Sequence, residues 1–358
     1  MYSLLRPLLF ALDPEHAHEL TLQALRVPGA ASMLHALYGA RVPVLPVICM
    51  GLRFPNPLGL AAGLDKQAAA VGGLAALGFG FLELGTVTPR PQPGNPGPRL
   101  FRLPAAAALI NRMGFNSDGL EPFLANLARA PRPVPLGINL GKNKDTPAER
   151  ALDDYLTGLR AVYAHADYVA VNISSPNTPG LRALQEETAL AELLAGLKAA
   201  QAQLATDHGR YVPIALKIAP DLDGEALDGV ARLLLEHRID AVIATNTTVT
   251  RPGLGHNPRA REAGGLSGRP LRPLATAVIA RLYRTLQGRI PIIGVGGIES
   301  ADDAWEKLVA GADLLQIYAA LIYRGPAVVR AIVADLKDRA DRLGNGDLGA
   351  AVARARAG

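Results

Sequence analysis

Cysteine is the scarcest chemistry in this chain. Cys49 stands alone among 358 residues, which excludes an intrachain disulfide and any thiolate-built zinc or iron–sulfur site. A lone cysteine fits a reducing compartment. Aromatic residues make up only 5%, with one Trp and seven Phe, too few for a platform that stacks single-stranded nucleic acid. Charged residues are 19%, so the chain is not of the highly charged, apolar-poor kind that stays disordered. No uninterrupted apolar run reaches the ~20 residues of a spanning helix. Arg6, Asp13, Glu15 and Glu19 interrupt any signal-peptide core near the start.

What is present is a large apolar fraction and a small basic surplus. Hydrophobic residues are 49%, and 37 Lys and Arg outnumber 32 Asp and Glu for a net charge of +5. The first predicts a large core in one big domain with an appendage, or in two ordinary domains. The second suits anionic partners without choosing among nucleic acid, anionic lipid and a small anionic substrate. Arg339, Arg342, Arg354 and Arg356 crowd the C-terminal end, which reads as a solvated basic tail over residues 341–358.

Residues 1–40 have a pattern of their own. Leu5, Leu8, Leu9 and Leu12 share one helical face. Asp13-Pro14 then reads as an N-cap followed by a proline at the first helical position. Ala17, Leu20, Thr21 and Ala24 continue at helical period, and Pro28-Gly29 ends that segment. A short stretch with Met33, Leu34, Leu37 and Tyr38 follows. The pattern predicts two short amphipathic helices, which serve either as a cap on the main domain or as an interfacial anchor on a bilayer.

After the Pro-rich joint Val42–Val47, eight short apolar runs recur: Leu58–Ala62, Phe81–Thr88, Pro135–Gly141, Tyr168–Ser174, Pro213–Ala219, Ala241–Thr248, Pro291–Gly297 and Asp313–Ala319. Helical stretches such as Glu186–Ala205 and Gly224–His237 lie between them. Near-continuous apolarity marks strands buried on both faces. Eight β-then-α units in residues 41–340 predict an α/β fold, a (β/α)8 TIM barrel with a small N-terminal helical extension. An open doubly wound sheet is the alternative, but the first βα turn lacks a G-x-G-x-x-G fingerprint.

In such a barrel, chemistry sits at the C-terminal ends of the strands. Polar groups gather at those places here. They are Asp65 and Lys66 after the first run, Thr86 in the second, Asn139 and Lys142 at the third, Asn172–Thr178 at the fourth, Lys217 in the fifth, Thr245-Asn246-Thr247 in the sixth and Tyr318 in the eighth. This set of amides, hydroxyls and ammonium groups suits a polar heterocycle with imide edges and an anionic tail. It does not suit a metal ion, which needs clustered carboxylates or His. Gly264–Gly268 lies in the loop after the sixth run and Gly296-Gly297 closes the seventh, where barrels commonly hold phosphate. FMN fits that arrangement better than a dinucleotide. Lys217 would stabilise negative charge on a reduced flavin ring; an ion pair with Asp221 or Asp65 is the plainer alternative. Ser175 has no Ser-His-Asp set or G-x-S-x-G elbow around it, and a serine in a polar turn ordinarily bonds its own loop.

Longer motifs add to this reading. NISSPNTPGLR at Asn172–Arg182, NRMGFN at Asn111–Asn116, GLAAGLDK at Gly59–Lys66, GTVTPRPQPGN at Gly85–Asn95 and GGLSGRP at Gly264–Pro270 occur with LGINLGKNKDTP and IIGVGGI. Together they resemble the class 2 dihydroorotate dehydrogenases, in order and at similar spacing, from the N-terminus to about Ala334. The resemblance implies oxidation of (S)-dihydroorotate to orotate in de novo UMP synthesis. It implies one FMN per chain as hydride acceptor and a membrane quinone as final acceptor. It also implies a serine base, which falls on Ser175; the soluble class 1 relatives have cysteine there. FMN contacts fall on Ala62, Gly63, Leu64, Asp65, Lys66, Thr86, Asn139, Asn172, Lys217, Thr245, Gly268, Gly297, Tyr318 and Ala319. Substrate contacts fall on Lys66, Asn111, Arg112, Met113, Gly114, Phe115, Asn172, Asn177, Asn246 and Thr247.

Lys66 would face the substrate carboxylate, and the expected route for the Ser175 proton is a relay through Thr178 and a bound water, with Phe115 shielding the site. Residues 1–40 would form the quinone entrance, with His18, Arg102 and Tyr318 near the quinone head. The expected protein is a monomer, peripheral on the cytoplasmic face of the membrane, without nucleic acid. One departure is visible: Ala319-Ala320 stands where the family has a small hydroxyl or Gly, which removes a side-chain phosphate contact and leaves backbone ones. Other FMN barrels (a class 1 enzyme, an enoate reductase, a dihydrouridine synthase) and a flavin-free phosphosugar barrel are the competing readings.

Overall fold

The computed structural model describes residues 2–255 and 257–357; Met1 and Gly358, the outer limits of the two terminal segments, lie outside them. Every one of the eight apolar runs contains a strand. In chain order the strands are β1 (Val47–Cys49), β2 (Leu52–Phe54), β3 (Leu58–Leu60), β4 (Phe81–Val87), β5 (Leu100–Leu103), β6 (Ala108–Asn111), β7 (Leu136–Leu140), β8 (Tyr168–Asn172), β9 (Ile214–Ile218), β10 (Ala241–Ala244), β11 (Gly265–Gly268), β12 (Ile292–Val295) and β13 (Leu314–Ile317). Eight of them close a parallel barrel in the order β3, β4, β7, β8, β9, β10, β12, β13 and back to β3. Closure leaves no strand edge unpaired.

The helices are α1 (Tyr2–Ala11), α2 (Pro14–Arg26), α3 (Ala30–Leu37), α4 (Val71–Ala75), α5 (Leu120–Arg129), α6 (Ala151–Val162), α7 (Glu187–His208), α8 (Gly224–Glu236), α9 (Arg272–Leu286), α10 (Ala301–Ala310), α11 (Ala319–Arg324), α12 (Ala327–Gly344) and α13 (Leu348–Ala357). From α4 onward their apolar stripes bury against the outer barrel face in one continuous core, and α2 and α3 pack on its edge through Leu22, Leu25 and Leu34. Among the described residues no helix is long and apolar enough to cross a membrane.

The bottom of the barrel is filled by rings. Phe54 of the β1–β2 hairpin meets Phe81 edge-on at 5.2 Å, and Phe81 meets Tyr168 at 6.3 Å. Space for Tyr168 comes from β7, where a Cβ on Gly137 would lie 2.1 Å from the tyrosine ring. The hairpin, which follows the Pro-rich joint, was not visible in the sequence. Three-residue strands carry too little periodicity to stand out.

Three expectations change. The N-terminal segment holds three helices, because Met33–Leu37 belongs to α3, which starts after Gly29 at φ +87. Gly265–Gly268 is a strand, paired antiparallel with β6, which in turn pairs with β5. Its glycines leave room for the Thr247 side chain beside Gly265 and the Ala107 carbonyl beside Gly268, where a Cβ would collide. The C-terminal end is not a solvated tail: α13 packs on α12 and buries Leu348, Ala351 and Val352. Arg356 lies over the Tyr283 ring and donates to the Val309 and Leu308 carbonyls.

Candidate active site at the barrel mouth

A cavity with about 1290 Å³ of empty space, counting its open side, sits above the C-terminal strand ends. It is where a barrel places its chemistry. Ser175 lines it, as do Lys66, Asn111, Met113, Gly114, Phe115, Asn172, Asn177, Asn246 and Thr247 from the expected substrate set. Ala62, Gly63, Thr86, Lys217, Thr245, Gly268, Gly297, Tyr318 and Ala319 from the expected cofactor set line it too.

Four expected residues do not line the cavity. The Arg112 guanidinium turns outward, stacks over Phe101 and donates to Glu262 Oε2 at 2.8 Å and to the Ala263 carbonyl. Leu64 is core. The Asp65 carboxylate accepts from the backbone N–H groups of Gln67, Ala69 and Ala70, which shapes the turn after β3. Asn139 is fully buried beneath the floor, where its amide oxygen accepts from Thr86 Oγ1 at 2.5 Å. The family resemblance marked all four as site residues; side-chain direction decides otherwise.

The strand ends hold the amides in one network. Asn172 donates to Thr86 Oγ1 and Asn139 Oδ1 at 3.3 Å, while its Oδ1 accepts from Ser174 Oγ and Asn246 Nδ2 at 3.2 and 3.1 Å. Asn177 donates to Asn111 Oδ1 at 3.3 Å. Fixed amides of this kind present both donors and acceptors to a heterocycle. The Ser175 hydroxyl is buried and accepts from Asn177 N at 3.2 Å. Its loop is clamped from outside by Arg182, which donates to the Ser174 and Thr247 carbonyls and pairs with Asp221 at 2.8 Å. Thr178 Oγ1 is buried and has no hydrogen-bond partner among the described residues.

Two lysines face the cavity in different settings. Lys66 makes no hydrogen bond or ion pair among the described residues; burial, with Arg99 opposing Glu15 and Asp65 nearby, brings its ammonium down to about 8. Lys217 instead pairs with Glu83 at 3.3 Å, not with Asp65 or Asp221. Glu83 is fully buried inside β4 and lay unmarked in an apolar run. Its only signal was a charge at the middle of a continuous buried strand.

The seventh strand ends in a cradle. Gly297 has φ +76, and a Cβ there would lie 2.4 to 2.6 Å from Arg272 backbone and Cβ atoms. Arg272 opens α9, where its own N–H goes to the Arg269 carbonyl and Pro273 has none, so α9 meets the cradle with its backbone and not with a free first-turn donor. On the opposite side the cavity runs between Leu100, Leu109 and Tyr318 to α2, where Glu15 and His18 line it. Burial first, then Lys66, brings the His18 imidazole down to about 4, and burial brings the Tyr318 phenol up to about 12. Arg102 does not reach the cavity lining. It donates to the Phe10 and Leu12 carbonyls at 3.1 Å and stacks on the Phe10 ring, tying the α1–α2 joint to β5.

The closed barrel and the polar-lined cavity over its strand ends define a (β/α)8 protein of the kind whose chemistry sits at that mouth. The family model for dihydroorotate dehydrogenase matches residues 44–340. Curated relatives named dihydroorotate dehydrogenase (quinone) include that of Thiobacillus denitrificans, 59% identical over 93% of this chain and 98% of its own. That of Nitrosospira multiformis is 57% identical over 92% of this chain and 94% of its own. Among solved structures, the DHODH of Eimeria tenella in complex with ferulenol superposes with a TM-score of 0.87 at 37% identity, covering 95% of both chains. The chain belongs to the dihydroorotate dehydrogenase family of oxidoreductases.

Proposed function

We propose that this chain is a quinone-dependent dihydroorotate dehydrogenase that binds one FMN. It oxidises (S)-dihydroorotate to orotate, a step of de novo pyrimidine synthesis, and delivers the electrons to a membrane quinone. The observation that carries the reading is the convergence of four chemistries in one cavity. They are the buried Ser175 hydroxyl, the fixed Asn111, Asn172, Asn177 and Asn246 amides, the Lys66 ammonium, unpaired among the described residues, and the Gly297 cradle.

The residues fit FMN on two grounds. The cradle at Gly297 has no room for a Cβ, which leaves backbone N–H groups free to approach a phosphate. Gln316 Oε1 on the cavity wall is buried and unpartnered among the described residues, as an acceptor waiting for a ring N–H would be. Ala62, Gly63, Thr86, Lys217, Thr245, Gly268, Tyr318 and Ala319 would hold the group, and Ala319 and Ala320 would contribute only backbone contacts. When bound, FMN supplies the hydride acceptor for substrate C6 and the path for electrons to the quinone.

The chain's own residues do the rest. Lys66 holds the substrate carboxylate, and the asparagine amides read its imide edges. Ser175 Oγ takes the C5 proton; Thr178 and a water carry it outward while Phe115 excludes bulk water. A positioned base contributes about 10²–10⁴-fold. Leu4, Leu5 and Leu8 on α1 and Met33 on α3 are exposed, an apolar face of the kind that rests in a bilayer interface. The quinone enters beneath that face, past His18 and Tyr318, from the cytoplasmic side.

Purified protein should be yellow with flavin absorption. Dihydroorotate should bleach it without oxygen, and a quinone should restore it. Colourless protein that takes up no FMN would overturn the cofactor, and flavin that dihydroorotate leaves oxidised would overturn the substrate.

A further inference from the structure

The strongest unassigned feature is the carboxylate at the centre of the barrel. We infer that Glu83 is a positioning residue for Lys217 and that its charge sets the redox potential of the bound flavin; this rests on the FMN reading above.

A carboxylate inside a closed barrel is costly unless several donors surround it. Glu83 has four. Oε1 accepts from Asn139 Nδ2 at 2.8 Å and from Lys217 Nζ at 3.3 Å. Oε2 accepts from Gln316 Nε2 at 2.6 Å and from Tyr168 OH at 3.1 Å. The donors come from β7, β9, β13 and β8, so the carboxylate is tied to half of the barrel staves. Packing below it is apolar and aromatic.

Two of those donors also line the cavity: Lys217 and Gln316. Glu83 is the hydrogen-bond partner of Lys217 Nζ among the described residues, and it holds the ammonium at the cavity wall. A lone ammonium there would favour a reduced, anionic ring strongly. A Glu83–Lys217 pair favours it less, because the carboxylate offsets part of the field in a poorly screened interior. Balance matters for a flavin with two tasks. It must accept electrons from dihydroorotate and then release them to quinone, and too positive a site would slow the second transfer.

The test is Glu83→Gln in the flavin-loaded protein, read by the midpoint potential. The variant is compatible with the fold because the Tyr168 hydroxyl oxygen can accept from the new side-chain NH2 and from Gln316 Nε2, while the retained Oε1 keeps the Asn139 and Lys217 donors. Removing the charge should shift the flavin reduction equilibrium at least about tenfold toward the reduced form, roughly 30 mV upward for a two-electron couple. Glu83→Asp keeps the charge but withdraws it by one methylene and should shift the potential in the same direction by less. Reduction by dihydroorotate should persist while reoxidation by quinone slows. An unchanged or lowered potential in Glu83→Gln overturns the inference, as does a larger shift in Glu83→Asp than in Glu83→Gln. If Glu83→Gln does not accumulate as folded protein, Glu83→Asp decides alone: a raised midpoint upholds the inference and an unmoved one overturns it. Wild-type protein that binds no flavin is a different result, which overturns the cofactor reading itself.

Discussion

Three leucines on α1 make membrane association a quantitative matter. Leu4, Leu5 and Leu8 are 78%, 54% and 68% exposed, together about two whole leucines of free surface. Full burial of one leucine contributes roughly 1.5–3 kcal/mol. The three should therefore contribute about 3–6 kcal/mol to partition into a bilayer interface, or about two to four decades in the partition coefficient. Serine at all three positions should remove it. Co-sedimentation with vesicles of neutral and of anionic lipid measures the effect. Arg6 is the only charged residue on α1, so the wild-type affinity for neutral vesicles should survive added salt. The variant should still be bleached by dihydroorotate, because none of the three side chains lines the cavity. Its turnover should fall with a long-chain quinone in vesicles and hold with a short, water-soluble one. A triple variant that sediments with neutral vesicles as the wild type does would refute the argument.

Four other outcomes follow from the site. Ser175→Ala should slow flavin reduction by dihydroorotate at least about 100-fold in single-turnover kinetics, while the loss of the acceptor for Asn177 N costs about 1 kcal/mol and leaves the fold intact. Gly297→Ala should yield folded protein with less than about a tenth of the wild-type flavin by absorbance, since its Cβ meets Arg272 at 2.4 Å in a conformation that already costs a non-glycine residue about 1 kcal/mol or more. Lys66 loses its proton as pH rises through about 8, so dihydroorotate affinity should weaken above that pH, and Lys66→Met should bind weakly with no such inflection. Cys49 is buried and its thiol is pushed up, by burial first and then by Asp313, so the native protein should resist thiol reagents that label it at once after unfolding.

The barrel was legible because its strands are buried on both faces and so read as apolar runs. Each observed barrel strand falls inside its expected run, for example Tyr168–Asn172 within Tyr168–Ser174. Elements without that signal were lost: the β1–β2 hairpin is short, and β11 is glycine-rich enough to pass for a loop. α13 was hidden by its arginines, whose long stems pack while their heads bond carbonyls. In the site, strand-end polar residues could be read from position alone. Arg112 shows the limit, since adjacent residues point to opposite sides and the Glu262 carboxylate claims its head. Glu83 shows another: a charge in the middle of an apolar run marks it as buried, but the four donors that meet it come from strands far apart in sequence.

The N-terminal helices are bound to more than the barrel's outer wall. Glu15 on α2 takes both Nε and Nη2 of Arg99. Arg99 Nη1 grips the Pro93 and Asn95 carbonyls, and Asn95 Nδ2 holds the Asn177 carbonyl, two residues beyond Ser175. A tether of this kind works in both directions. Cutting away residues 1–40 removes more than an exposed apolar face: it slackens the line that holds the Ser175 loop taut, so the truncated protein should turn sluggish toward dihydroorotate even when its electrons go to a soluble dye.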